Sequence, residues 1–339
     1  MAIKKKKKLK LKIKIFSFII ILLLAIGISY YGYDEYSKYV EKIEKIAEEK
    51  RIKKEQEKLL KQYNECLIKT YTEEELSDNL KNKISEVDNY IKQNYSASVV
   101  YNDITTGFNY KYNEDKVYYG ASLIKLVEAM YIFDKASNGE IDINTTIKYT
   151  ANYKAAYSDG MSKRSVGEDV SLKDLISYAI MYSDNTAHFM LSDYIGRENL
   201  KNYGKSLGAK NILTGGDSFG NQTASDTNIY LNHAHEIINS GSEYGKMLKE
   251  YMTNTYYNSL YLTDEANNNV AHKYGWYSSY YHDIGIVFEE KPYYISILTN
   301  HGNGDYKTVV NNIHKKINEL HNLFYEERKN TCHIEIYGD

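Results

Sequence analysis

A serine and a lysine stand three positions apart in Ser122-Leu-Ile-Lys125, at the head of an apolar stretch. On a helix, positions i and i+3 share a face, so hydroxyl and amine can meet. A serine hydroxyl is a weak nucleophile until a base takes its proton. A lysine that is desolvated, or close to another cation, loses proton affinity and can serve as that base. The preceding Tyr119-Gly120-Ala121 ends in small residues that let a substrate approach. Sixty-one residues on comes Ser183-Asp184-Asn185, and later Lys273-Tyr274-Gly275. Alone, Ser183 or Asp184 reads as a helix cap, and Lys273 as a solvated charge on a strand. Together the three supply a nucleophile, an amine base, a second hydroxyl for proton relay, a second cation, and a glycine where backbone can come close.

A rival constellation lies nearby. His272, His282 and Asp283 could form a Ser-His-Asp triad with Ser122. Against it, no G-x-S-x-G elbow surrounds Ser122, and His282-Asp283 reads as the start of a strand, where imidazoles more often bond to backbone. Neither cysteine, Cys66 nor Cys332, flanks a histidine at ligand spacing, so no metal or other cofactor is expected.

The elements that must position these residues follow from periodicity. Ser77 to Asn94 reads as a helix with Leu80, Ile84, Val87, Tyr90 and Ile91 on one face. Residues 96–101 and 108–112 read as a hairpin through the turn 102–107. Helices are expected over 123–135, 172–182, 185–194 and 227–240, and strands over 270–277, 283–288 and 293–299, with Pro292 in the last turn. A final helix covers 306–325, with Val309, Val310, Ile313, Ile317 and Leu320 in phase. The fold class is therefore α/β of the α+β kind. One antiparallel sheet is made from N- and C-terminal strands, flanked by the terminal helices, with an all-helical middle on its other face. The 37 tyrosines show no period and read as packing and surface residues.

Composition bounds the rest. The 339-residue chain has a formal charge of −2, but residues 1–14 carry eight lysines and no acid. Without those eight, 35 basic residues face 45 acidic ones, a net charge of −10. A body that acidic argues against nucleic acid as partner. Residues 15–33 lack charge and, at ~1.5 Å per residue, span roughly the ~30 Å hydrocarbon core. The reading is a basic cytoplasmic segment (1–14), a transmembrane anchor (15–33) and a charged helical stalk or linker (34–76). A globular domain (77–326) and a C-terminal tail (327–339) follow. Lysines before the span and Asp34-Glu35 after it put the N-terminus in the cytoplasm and the domain outside the cell. The competing reading is a signal peptide cleaved after Ala25-Ile26-Gly27.

The ordered set S-x-x-K, S-D-N and K-T-G resembles the signature of the serine β-lactamase and penicillin-binding-protein superfamily, over roughly residues 77–326. The resemblance implies Ser122 as nucleophile, Lys125 as its base, Ser183 as relay to the leaving group and Lys273 as the cation that attracts a substrate carboxylate. It makes Asp184 structural. Asn185 would bind a substrate amide, and Gly275 would let the strand approach. The N–H groups of Ser122 and Trp276 would form an oxyanion hole. Tyr274 departs from the usual Thr or Ser, whose hydroxyl contacts that carboxylate. In the superfamily the first and last helices are neighbours, which would permit a Cys66–Cys332 bridge; two unpaired thiols are the other reading. Class A β-lactamases also carry a deacylating glutamate on a loop after S-D-N. Here the acids are Asp193, Glu198 and Asp217; Glu198 reads as a helix start, leaving Asp217 as the loop candidate. The implied activity is acyl-enzyme formation on Ser122 with β-lactams or related amides and esters. The alternatives are a D,D-peptidase acting on peptidoglycan peptides and a non-hydrolytic β-lactam or muropeptide sensor.

Overall fold

The computed structural model of the chain describes residues 2–262, 269–301 and 305–338, with the side chains of 2–9, 75 and 306 excepted. Five of the N-terminal lysine side chains (4–8) and the terminal residues Met1 and Asp339 lie outside that description. The chain divides into two compact units, Met1–Cys66 with Thr331–Asp339, and Leu67–Asn330.

The first unit is helical. Helix α1 spans Ala2–Ile68 without a break. No proline or glycine interrupts residues 34–68, and pairs such as Lys38–Asp34 (2.6 Å) and Arg51–Glu48 (2.8 Å) lie one turn apart. Each such exposed pair adds a few tenths of a kcal/mol. The apolar part of α1 is long enough to cross a membrane, and its side chains are exposed. Cys66 and Cys332 are joined in a disulfide, with Cα atoms 5.9 Å apart. The last helix continues past the expected end near Tyr325 to Tyr337. Nothing in 326–337 breaks it, and it stops where Gly338 adopts φ +79° and returns its N–H to the Ile334 carbonyl at 3.0 Å. The bridge closes a separation of 266 residues, so its removal is expected to cost about 2–4 kcal/mol. In the Cys66→Ser, Cys332→Ser variant, hydrogen exchange should rise over 331–337 and 60–66 while the central strands stay protected; unchanged exchange there would show that the bridge constrains nothing.

The second unit is built on a five-stranded antiparallel sheet. In chain order its elements are α2 (Asp78–Asn94), β1 (Ala97–Asp103), β2 (Asn109–Tyr112), β3 (Tyr118–Tyr119), α3 (Ile124–Ser137), β4 (Thr146–Lys148), β5 (Asp169–Ser171), α4 (Leu172–Met181), α5 (Asn185–Ile195), α6 (Arg197–Ser206), β6 (Asn221–Gln222), α7 (Ala224–Asn239), α8 (Glu243–Thr253), β7 (Val270–Tyr277), β8 (Tyr280–Val287), β9 (Tyr293–Asn300) and α9 (Tyr306–Tyr337). The sheet order is β2-β1-β9-β8-β7. Strand period sorts its side chains onto two faces. Val99, Tyr101, Ile295 and Ile297 pack with Leu80, Val87 and Ile91 of α2 and with Val310, Ile313 and Ile317 of α9. Val100, Ile284, Ile286 and Leu298 face the core of the middle helices. The terminal helices thus cover one face and the helical middle the other, as the sequence implies.

The differences are local. The middle is not wholly helical, since β3 pairs with β6 and β4 with β5. Helix α8 has no counterpart in the sequence reading. Strand β8 starts at Tyr280, three residues before the expected 283, because Tyr277 pairs directly with Tyr280 across a two-residue turn. Ser278 takes φ +55° there without the Asn-Gly or Asp-Gly that would announce such a turn.

Candidate active site

The nucleophile candidate is held by three neighbours. Gly120 donates its N–H to the Gly220 carbonyl at 2.8 Å, continuing the β3–β6 ladder. Ala121 then adopts φ +46°, a left-handed conformation worth about 1–3 kcal/mol of strain, and opens a 3-10 turn (Ala121–Leu123) that runs into α3. On the third side lies β7, where Gly275 has Ser122 N and the Gly120 carbonyl so near that a Cβ would meet them at 3.2 and 3.1 Å. A side chain at 275 would push the strand away from Ser122.

Lys125 is wholly buried one helical turn below Ser122. Its Nζ lies 2.6 Å from the Ser183 carbonyl oxygen, 2.8 Å from Asn185 Oδ1 and 2.9 Å from Ser122 Oγ. The first two can only accept. A neutral amine satisfies them with its two N–H bonds and turns its lone pair to the Ser122 hydroxyl. Burial pulls the Lys125 pKa down to about 7, against the opposing pull of Glu128 and Asp184. Asn185 is oriented by its own Nδ2, which donates to the Ala156 carbonyl at 3.0 Å.

Ser183 sits between the two lysines. Its φ of +54° is left-handed, and its Oγ accepts from Lys273 Nζ at 2.8 Å, with Lys125 Nζ at 3.5 Å. Lys273, also wholly buried, donates in addition to the Tyr274 carbonyl at 2.7 Å. Burial, and then the nearby Lys125, hold Lys273 well below the ordinary lysine value. Asp184 caps α5 through Ala187 N–H (2.9 Å) and takes Met161 N–H (2.8 Å) on its other oxygen. It thereby ties the 150–168 loop to the S-D-N turn, a structural part worth about 1 kcal/mol as a cap alone.

Tyr274 is almost fully buried. Its ring lies 4.3 Å from Lys273 Nζ, and its hydroxyl donates to the Tyr182 carbonyl at 3.4 Å. Burial raises its phenol above the ordinary tyrosine value. Trp276 is half-exposed and lines the cleft beside Ser122. Six of the eight residues singled out from the sequence (Ser122, Lys125, Ser183, Asn185, Lys273, Tyr274) therefore converge in one contact network. Gly275 and Trp276 adjoin it on β7.

The rival triad is excluded by geometry. His282 Nε2 can only donate to the Tyr119 carbonyl, 2.8 Å away, and its Nδ1 accepts from Thr299 N–H at 3.1 Å. The ring is a neutral tautomer with both nitrogens used, and burial drops its pKa to about 4. It props the strand that leads into Ser122. His272 is engaged by Asp283 (2.8 Å) and Thr255 (2.5 Å). His282 lies inside β8 rather than opening it, because β8 begins earlier than the sequence suggests.

Of the three acids that follow the S-D-N turn, Asp217 and Asp193 are engaged by other groups. Asp217 Oδ1 accepts from Phe219 N–H (3.0 Å) and Gly220 N–H (2.8 Å), so it shapes its own loop. Arg197 clamps that loop through the carbonyls of Asp217 and Leu213, both at 2.6 Å. Asp193 accepts from the Tyr153 hydroxyl at 2.5 Å. Glu198 lies in the first turn of α6. From the clamped loop it is Phe219 that reaches the site, with its ring 5.7 Å from Lys125 Nζ.

Two features escaped the sequence reading. Glu128 and His188 form a buried pair, His188 Nδ1 donating to the carboxylate at 3.0 Å while Nε2 lies 3.0 Å from Ser218 Oγ. A lone acid inside the apolar stretch Leu126 to Phe133 was the available signal. The tyrosines, which read as packing and surface residues, also gather around the site. A cleft of about 570 Å³ opens over Ser122, and seven of the side chains lining it are tyrosines.

An antiparallel sheet between terminal helices and a helical middle, with a lysine-coupled serine beside an edge strand, defines a protein of the serine β-lactamase and penicillin-binding-protein superfamily. The chain belongs to the beta-lactamase enzyme family, whose profile matches residues 79–321. Solved structures share the fold at low identity. A beta-lactamase from Sphaerobacter thermophilus has a TM-score of 0.63 at 17% identity, covering 71% of this chain and 97% of that one. The TLA-1 extended-spectrum beta-lactamase gives 0.63 at 19%, covering 71% and 98%. A PBP-A variant, solved as its acyl-enzyme complex with penicillin G, gives 0.62 at 17%, covering 71% and 97%.

Proposed function

We propose that this chain is a membrane-anchored, extracellular serine hydrolase of class A β-lactamase-like type, acylated on Ser122 by β-lactams or related amides and esters and slow to deacylate. The observation that carries the reading is the satisfaction of Lys125: two obligate acceptors use its N–H bonds, and its third near neighbour is Ser122 Oγ. In this scheme Ser122 Oγ attacks the acyl carbon while its proton moves to Lys125 Nζ. The N–H groups of Ser122 and Trp276 receive the developing oxyanion. Ser183, held by Lys273, passes the proton to the leaving atom, and Asn185 keeps Lys125 aimed.

Slow deacylation rests on what surrounds the ester. Asp217 is held by its own loop and by Tyr119, and Phe219 stands near Lys125 where a water-activating carboxylate would help. A placed general base is worth about 10²–10⁴-fold, so its absence lets the acyl-enzyme persist. The same observation favours a second reading, a penicillin-binding-type D,D-peptidase or a sensor whose acylated form is the signal. For location, the basic residues before the apolar span and the acids after it favour a cytoplasmic N-terminus, and the Cys66–Cys332 disulfide suits an oxidising exterior.

The test is intact mass of the full-length chain in detergent, mixed with benzylpenicillin and followed in time. The expected result is a mass gain of one penicillin on Ser122 that lasts minutes to hours. An adduct lost within seconds, with drug hydrolysed, would overturn slow deacylation. No adduct would overturn the reading.

A further inference from the structure

The serine–histidine–carboxylate relay excluded at Ser122 occurs elsewhere in the same unit. We propose that Ser218, with His188 and Glu128, is a second nucleophilic centre, acylated by small uncharged carboxylic esters and independent of Ser122. Glu128 lies one helical turn beyond Lys125 on α3, and its carboxylate is wholly buried. Its Oε2 accepts from His188 Nδ1 at 3.0 Å, while Oε1, 2.9 Å from the same nitrogen, has no hydrogen bond of its own. An ionised carboxylate only accepts, so Nδ1 carries the imidazole proton and Nε2 keeps its lone pair. That nitrogen lies 3.0 Å from Ser218 Oγ. The carboxylate thus fixes the tautomer and steadies an imidazolium, and the imidazole is placed to take the serine proton. His188 is itself fully buried, with the Phe219 ring 4.5 Å from its own. A buried carboxylate so thinly satisfied costs stability, and that cost fits a working group better than a tie between α3 and α5.

Ser218 is half-buried and reaches its own opening. It lines a groove of about 530 Å³ with Tyr153, Phe189, Asp193, Gly196 and Arg197. Among the described residues, this groove shares only Phe189 with the cleft over Ser122. The chain is fixed on both sides of the nucleophile. Asp217 Oδ1 holds the N–H groups of Phe219 and Gly220, and Arg197 holds the Asp217 carbonyl. Among the described residues the Ser218 N–H makes no hydrogen bond, so it can receive a developing oxyanion. Arg197 spends three N–H bonds on the carbonyls of Asp217, Leu213 and Gly215, and a guanidinium has five. The groove therefore keeps a cation with N–H bonds to spare. Its charges, Arg197 and Asp193, cancel, and Tyr153 and Phe189 offer apolar contact. That combination suits a small uncharged ester.

In the first step Ser218 Oγ bonds to the acyl carbon and the ester's carbon–oxygen bond breaks, the serine proton passing through His188 Nε2 to the departing oxygen. Water then adds to the acyl carbon and gives its proton to His188, which returns it to Ser218 Oγ as the acid leaves. The test uses the full-length Ser122→Ala chain in detergent, so that the first site is silent, with 4-nitrophenyl acetate and diisopropyl fluorophosphate as probes. That chain is expected to hydrolyse the ester. With the fluorophosphate, Ser218 Oγ bonds to phosphorus, fluoride leaves, and one diisopropylphosphoryl group maps to Ser218. Adding Ser218→Ala should cut kcat/KM for the ester about tenfold or more and abolish that label. Adding Glu128→Gln instead should lower kcat and leave KM, because Glu128 acts through His188 and touches no substrate. Ser218→Ala removes a single loop hydroxyl, so it decides the matter even where Glu128→Gln does not fold. Ester hydrolysis unmoved by Ser218→Ala, or a label that maps elsewhere, overturns the inference. Neither result bears on the penicillin adduct of Ser122, which is read on the unaltered chain.

Discussion

Ser122→Ala is expected to lose every penicillin adduct, a fall in acylation on the order of 10⁴-fold or more, while the protein stays folded. Two serines contact the lysine pair, and the geometry separates them. Ser122 Oγ is the one near neighbour of Lys125 Nζ that has a proton to give. Ser183 Oγ is 3.5 Å from Lys125 and is instead an acceptor for Lys273. Removing the Ser122 hydroxyl leaves Lys125 its bonds to the Ser183 carbonyl and Asn185, so no buried donor is orphaned. Ser183→Ala should behave differently: an adduct still forms, more slowly, because the relay is lost and the nucleophile is kept. Intact mass and peptide mapping on both variants decide it. An adduct in Ser122→Ala that maps to Ser183 would exchange the two roles.

Much of this site could be read from the sequence because its chemistry is written in short motifs. Ser122 and Lys125 meet because a helical turn brings i and i+3 together, and that needs no tertiary knowledge. The sheet faces were legible for a similar reason, since side chains alternate between faces along a strand and the continuous apolar run Val99 to Tyr101 sends Val100 to one core and Val99 and Tyr101 to the other. What was not legible depends on distant partners. Tyr274 reads as a substitution of the usual hydroxyl, and the structure makes it a lid on Lys273 through contacts with Tyr182, 92 positions away in sequence. The tyrosines of the cleft come from separate segments and share no period. The Glu128–His188 pair joins α3 to α5, and only the oddity of an acid in an apolar helix hints at it. The early start of β8 hinges on Ser278 at φ +55°, a conformation serine seldom announces.

Lys125→Met should slow acylation by about 10²–10⁴-fold, some 3–6 kcal/mol of barrier at ~1.4 kcal/mol per decade, and at the same time stabilise the protein. The first effect follows from removing the proposed base. In the unaltered chain, the rate of adduct formation should rise about tenfold per pH unit below the Lys125 pKa of about 7 and level off above it, because only the deprotonated amine accepts the serine proton. The variant should lose that inflection. The second effect has the opposite sign and the same origin. Burial holds the folded-state pKa below the ordinary 10.5, so the unfolded chain binds more protons between about pH 7 and 10.5. Stability therefore rises with pH across that window. Lys273, lowered likewise by burial, contributes in the same direction. Methionine fills the space with no amine to desolvate, so denaturant unfolding at pH 7 should show a gain on the order of 1 kcal/mol or more and a stability–pH slope reduced by one proton. A variant that loses activity and stability together would mean that Lys125 holds the fold and is not the base. Activity lost with stability gained is what a lysine kept neutral for catalysis, at the expense of the fold, must show.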